Sequence, residues 1–152
     1  MASTTIRSGG VATKDPSDTR IFVFDWDAEN LEPGITIATS TFALSEISPT
    51  LAWSSTTLYL VGDQVVSAGV IYACILAHVD QMPPNVTYWA VVTPFIDLTK
   101  DNEGKLTGDR KTSLRLMGGT PGHTWDVANT ITTNETPSQT KERSFRVLVE
   151  QL

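Results

Sequence analysis

The sequence is poor in cysteine, in basic residues and in long apolar runs, and each shortage removes a class of protein. Cys74 is the single cysteine, so neither an intramolecular disulfide nor a cysteine-based zinc site can form, and its expected role is a small buried apolar residue on a strand. Lys and Arg number 11 against 17 Asp and Glu, for a net charge of −6. A surface that neutralises phosphates needs clustered cations, and this chain has no such cluster, so nucleic acid is not expected as a partner. No stretch reaches the roughly eighteen apolar residues of a membrane span, and residues 1–14 lack the apolar centre of a secretory signal. The expectation is a protein made in a cytoplasm and not inserted into a membrane. No segment shows a helical period, which leaves an all-β chain.

What is present is alternation broken by turns. At 152 residues the chain has the length of one ordinary domain, or of one domain with a small insertion. Residues 1–14 are small and polar and read as a flexible N-terminal arm, whose Thr, Val and Ile suit strand addition to a neighbouring subunit. After the turn Asp15-Pro16-Ser17-Asp18, residues 20–26 place Phe22, Phe24 and Trp26 on one face. Glu32-Pro33-Gly34 makes a turn, and residues 35–44 alternate again, with Ile35, Ile37, Thr39 and Thr41 on one side and Ala38, Phe42 and Leu44 on the other. Asp101-Asn102-Glu103-Gly104 reads as a turn rich in residues that tolerate positive φ. Residues 111–117 then alternate, and Gly118-Gly119-Thr120-Pro121-Gly122 reads as a hairpin turn into a strand presenting Trp125, Val127, Asn129 and Ile131. In the last run Phe145, Val147 and Val149 share a face. The expected core is Phe22, Phe24, Trp26, Trp125, Val127, Phe145 and Val147, in a β-sandwich of immunoglobulin type formed by residues 15–48 and 95–152.

Residues 49–94 interrupt this pattern with the densest aromatic punctuation in the chain. Val65-Val66 and the run from Val70 to Leu76 are two short β-formers parted by Ser67-Ala68-Gly69, a hairpin signal, and Pro83-Pro84 forbids ladder donors before Trp89. The order Trp53, Tyr59, Gly62-Asp63, Val65, Gly69, Tyr72, Cys74, Ala77-His78, Pro83-Pro84, Tyr88-Trp89 resembles the small chitin-binding modules of carbohydrate-binding families 5 and 12 and their relatives in phage tail proteins. That resemblance implies a three-stranded β insert with Gly62, Asp63, Gly69, Cys74 and His78 in structural positions. It also implies Trp53, Tyr59, Tyr72 and Trp89 as candidate sugar-stacking rings. Ser67 departs from the pattern, which has an aromatic there. The same four rings would equally serve as the core of so small a unit, because each buries a large apolar area. Pro49 and Pro94 mark the expected junctions.

A second resemblance covers most of the remaining chain. Lys14-Asp15-Pro16 leading to Phe24-Asp25-Trp26, then residues 36–40, residues 118–122 leading to 129–133, and Glu142-Arg143-Ser144-Phe145-Arg146 are similar to immunoglobulin-like virion proteins of tailed phages, some of them fibre-tail adaptors. This implies a non-enzymatic structural component of a virion, present in several copies in a symmetric assembly and contacting tail, fibre or connector subunits. The alternative is a carbohydrate- or receptor-binding module that decorates the virion or attaches it to a host surface.

Catalytic chemistry finds no constellation here. His78 and His123 lie in different modules with no carboxylate at a fixed spacing, and a two-histidine metal site would need further ligands that nothing identifies. Gly62-Asp63 before a strand is a turn, and residues 118–122 lack the Lys and helix of a phosphate loop. No catalytic residue, metal or cofactor is expected.

Overall fold

The computed structural model describes residues 3–29, 31–47, 50–92 and 97–152; the expected junction residues Pro49 and Pro94 lie outside them. Among the described residues there are eleven strands and no helix: β1 (Ser3–Ile6), β2 (Val11–Lys14), β3 (Arg20–Asp25), β4 (Ile37–Glu46), β5 (Gln64–Ser67), β6 (Val70–Cys74), β7 (Trp89–Val91), β8 (Leu98–Lys105), β9 (Lys111–Gly118), β10 (Thr124–Thr133) and β11 (Thr140–Val149). The chain divides into two compact units. One is formed by Met1–Ile47 with Ile96–Leu152, and the other by Ser48–Phe95.

In the larger unit, β1-β3-β9-β8 and β2-β11-β10-β4 form two four-stranded sheets. Their inner faces share one core. Phe22 and Phe24 of β3 and Leu114 and Leu116 of β9 meet Val127 and Ile131 of β10 and Phe145 and Val147 of β11, and the rings of Phe22 and Phe145 touch across the gap at 5.4 Å. Each contributing strand alternates a buried residue with a more exposed one, the pattern of a sheet with one wet face. Trp26 is fully buried, whereas Trp125 is only half-buried and packs against the core from its margin.

The expected flexible arm over residues 1–14 is not what the structure contains. β1 pairs in parallel with β3, and β2 in parallel with β11, so this segment supplies an outer strand to each sheet. Composition misleads here because an outer strand is held by main-chain bonds, which polar residues form as well as apolar ones; Ile6 and Lys14 are buried while Ser3, Thr4, Thr5 and Thr13 stay in solvent. Between the strands, Gly9 takes φ of 71° and donates to the Ser144 carbonyl at 2.8 Å, while Arg146 donates to the Gly10 carbonyl at 2.8 Å. Strand addition to a neighbour was the expected use of this arm; the chain makes it to itself.

Three further expectations are revised. Ile37 and Phe42, assigned to opposite faces, are both buried, because a bulge at the Thr132/Thr133 step pairs Thr132 with Thr39 but Thr133 with Ile37 and so switches the phase of β4. The turn expected at residues 101–104 is instead a bulge inside β8, with Asn102 at φ 47°. The reversal lies at Gly108 and Asp109, both at positive φ. Finally, residues 118–122 do not close a hairpin. β9 and β10 belong to different sheets, and this segment carries the chain from one to the other. Gly119 has φ of 102°, and a Cβ there would stand 2.7 Å from Cγ2 of the fully buried Val149. Gly119→Ala is therefore expected to destabilise by about 2–4 kcal/mol, from strain plus overpacking, in a denaturant titration. A loss under about 0.5 kcal/mol would mean that the crossing adapts freely.

The smaller unit is an antiparallel sheet in the order β5-β6-β7. Ala68 at φ 50° and Gly69 at φ 77° make the two-residue reversal between β5 and β6, the geometry whose twist suits a hairpin. The outer edge of β5 is covered, since Val66 donates to the Leu51 carbonyl at 2.9 Å and Trp53 to the Val66 carbonyl at 3.3 Å.

Candidate functional site

The aromatic cluster of the smaller unit is where the sequence places most of its candidate residues. β7 contributes Trp89, β5 Val65 and β6 Cys74, and the backbone bridge between Tyr59 and His78 brings those two rings over them. Trp89 meets the edge of Tyr59 at 5.1 Å and of His78 at 4.7 Å. Its indole N–H donates to the Gln81 carbonyl at 2.6 Å, and the Tyr59 hydroxyl accepts from the Ser54 N–H at 2.7 Å. Trp89 is 2 % exposed and Tyr59 6 %. A sugar platform needs an open ring face, so these two candidate stacking residues are corrected to core. Trp53 and Tyr72 are half-buried, as is Tyr88.

His78 and Cys74 are likewise built into this core. Nδ1 of His78 lies 2.7 Å from the Leu76 carbonyl, the Cys74 thiol donates to the same oxygen at 3.2 Å, and the sulfur and ring nitrogen are 3.7 Å apart. Burial pushes the Cys74 thiol pKa up, and the Asp63 charge acts in the same direction. The thiol thus stays protonated and is a poor nucleophile or metal ligand. Asp63 accepts from the Leu60 N–H at 2.8 Å with its side chain, while Gly62 sits at φ 99°; the pair forms a turn. Among the described residues, no group of three or more His, Cys, Asp and Glu could hold a metal ion.

The larger unit carries a polar centre that alternation alone did not single out. Asn129 is fully buried between the sheets. Its Oδ1 accepts from the Trp26 indole at 2.9 Å and from the Thr112 hydroxyl at 2.6 Å, and its Nδ2 donates to the Ser40 hydroxyl at 2.9 Å and the Thr41 carbonyl at 3.0 Å. The available signal was an amide sitting between Val127 and Ile131 on an apolar face. Lys14 is also fully buried; its ammonium donates to the carbonyls of Asp15 at 2.9 Å and Gly118 at 2.7 Å, and burial lowers its pKa. His123 is buried against Glu46.

Several carboxylates are tuned by structural bonds. The Ser17 hydroxyl, then the N–H groups of Leu152 and Ser17, hold Asp15 below its ordinary pKa. The Arg115 guanidinium does the same for Asp101, its partner across the β8 and β9 pair. A carboxylate depressed in the folded state stabilises the fold above its unfolded pKa, and that contribution disappears as pH falls through the folded value. Thermal stability is therefore expected to drop as pH is lowered from about 5 to 3, the range below the ordinary Asp value near 3.9 being decisive. Melting temperatures that stay flat over that interval would exclude a stabilising role for these carboxylates.

Two comparisons with known proteins bear on the chain. Residues 84–148 match the model of the family Gp77, described as podophage GP4 fiber-tail adaptor protein gp77. The matched stretch takes in β7, β8, β9, β10 and all but the last residue of β11. No curated protein matches the chain at significance. Over that stretch the chain is similar to a structural adaptor of a phage tail, which supports a tail structural role.

Proposed function

We propose that this protein is a non-enzymatic fibre-tail adaptor of a tailed-phage virion. The observation that carries the reading is the match of residues 84–148 to the fibre-tail adaptor family. The architecture is compatible with it. Two four-stranded sheets around one core, with β1 on one and β2 on the other, are what an immunoglobulin-like sandwich would require, and the three-stranded sheet within residues 48–95 is compatible with a chitin-binding-like insert. In this reading the partners are tail and fibre subunits, the location is the virion, and several copies stand in a symmetric assembly. Nδ1 of His78 and the Cys74 thiol both lie against the Leu76 carbonyl, and burial pushes the thiol pKa up, which is compatible with an assembly role. Particles grown without this chain should retain tails and lack fibres, and a cryo-EM map should place its density at the tail–fibre junction. Fibres at normal number on particles lacking the chain would overturn the proposal.

Polysaccharide binding is the reading that the insert's resemblance invites, and the burial of Tyr59 and Trp89 weighs against it. Trp53 and Tyr72 are themselves half-buried, whereas a flat platform uses coplanar open rings. Retention on chitin or bacterial polysaccharide is expected to be negligible. Retention that Trp53→Ala abolishes without changing the melting temperature would restore the sugar-binding reading.

A further inference from the structure

The two sheets of the larger unit have β1 and β8 as the edges of one and β2 and β4 as the edges of the other, and all but β1 are guarded against further pairing. β8 carries Lys100, Asp101, Glu103 and Lys105 and a bulge between Asp101 and Gly104, features that keep an edge from recruiting strands. On β4 the Phe42 N–H donates to a Glu103 carboxylate oxygen at 2.7 Å, and on β2 the Thr13 carbonyl accepts from the Arg20 guanidinium at 3.0 Å. β1 has no such guard. Ser3-Thr4-Thr5-Ile6 contains no charge, no proline and no bulge, and Ser3, Thr4 and Thr5 are exposed.

The register fixes which main-chain groups of β1 are open. Trp26 donates to the Arg110 carbonyl, so Phe24 and Phe22 also turn their main-chain groups to β9, while Val23 and Ile21 turn theirs to β1. In a parallel pair a residue bonds to the two residues that flank its partner, and Val23, opposite Thr5, therefore meets Thr4 and Ile6. The N–H and C=O of Ser3 and Thr5 are left pointing away from the sheet. Among the described residues none caps them.

We propose that the outer edge of β1 receives an extended segment of a neighbouring virion subunit, which adds one strand to this sheet. A row of alternating main-chain donors and acceptors is matched by an extended backbone. Ser3 and Thr5 supply about four bonds in such a ladder, too few to hold a free second copy against the entropy of association. Each copy's net charge of −6 opposes that pairing as well. A subunit already seated against this chain brings its segment at high effective concentration, so the same few bonds suffice. The added strand alternates its side chains between the exposed sheet face beside Thr5 and the core margin beside the buried Ile6. The matching segment is therefore short, uncharged and apolar at every second position. The inference deepens the adaptor reading by naming the mode of one contact, and rests on it.

Particles grown without the chain and complemented with variants test it, with copies per particle counted by quantitative mass spectrometry. Thr5→Pro removes an outward N–H and no bond to β3, a change that edge strands tolerate. It should leave the melting of the free chain unchanged and lower incorporation at least about tenfold. Should Thr5→Pro melt early, Ser3→Pro at the start of the strand decides, with the same fall expected. Thr13→Pro, on the capped edge of β2, should incorporate like the wild type. Normal incorporation of Thr5→Pro, or an equal fall for Thr13→Pro, overturns the inference. So does a free chain that dimerises in sedimentation equilibrium and loses the dimer on Thr5→Pro, because a second copy would then be the occupant. Absence of the wild-type chain itself from particles defeats the adaptor reading, and the occupant named here with it, which tells the two failures apart.

Discussion

Deleting residues 3–13 is expected to unfold the larger unit. The segment carries β1 and most of β2, and its removal strips β3 and β11 of their parallel partners at the same time. Each lost ladder bond costs about 0.5–1.5 kcal/mol, and exposing the Ile6 pocket about 2 kcal/mol more. The total, about 4–6 kcal/mol, is a large part of the 5–15 kcal/mol that typically separates a native domain from its unfolded chain. The sheet edges would pass from these short strands to the longer β3 and β11, and exposed edges recruit other chains. The truncated protein should therefore melt far lower than the full chain, or precipitate, in a circular-dichroism scan. A truncated chain that melts within a degree or two of the intact one would mean that these strands are ornaments and that residues 1–14 act as a free arm.

Asn129→Ala is expected to cost about 3–5 kcal/mol, an unusually large loss for one polar side chain. The substitution removes the acceptor of both the Trp26 indole and the Thr112 hydroxyl, in a place that is fully buried. Two donors are left without a partner in a low-dielectric interior, and a small cavity opens beside Trp26. Asn129→Asp keeps the acceptor for Trp26 and Thr112 but turns a carboxylate oxygen toward the Thr41 carbonyl that the amide now contacts. It should therefore be destabilising as well, and less so in acid, where the protonated form can donate. Equilibrium unfolding of Asn129→Ala, Thr112→Val and the double variant would measure the coupling. A loss below about 1 kcal/mol for Asn129→Ala would show that water or neighbouring groups replace the amide.

Alternation is local, and it was legible. Phe22, Phe24 and Trp26 recur at period two, as do Phe145, Val147 and Val149, because a strand turns successive side chains to opposite faces whatever it pairs with. The sequence by itself thus determined the all-β class, the presence of strands near β3, β9, β10 and β11, the hairpin at Ala68-Gly69, and the lack of disulfides. Pairing is not local. Every residue but proline carries the same N–H and C=O, so nothing in residues 3–14 says that they join β3 and β11 in preference to another chain. Only the tertiary structure decided that the Gly118–Gly122 segment crosses between sheets, that a bulge turns Ile37 and Phe42 to one face, and that Asn129 meets four partners from three other stretches of chain. The same holds for the smaller unit. Tyr59 and Trp89 could have been platform or core, since a ring's sequence position does not reveal which of its faces meets water. The Tyr59–His78 bridge and the pairing of Trp89 with Cys74 resolved this, with both rings buried while Leu58, Leu60 and Val79 stay exposed.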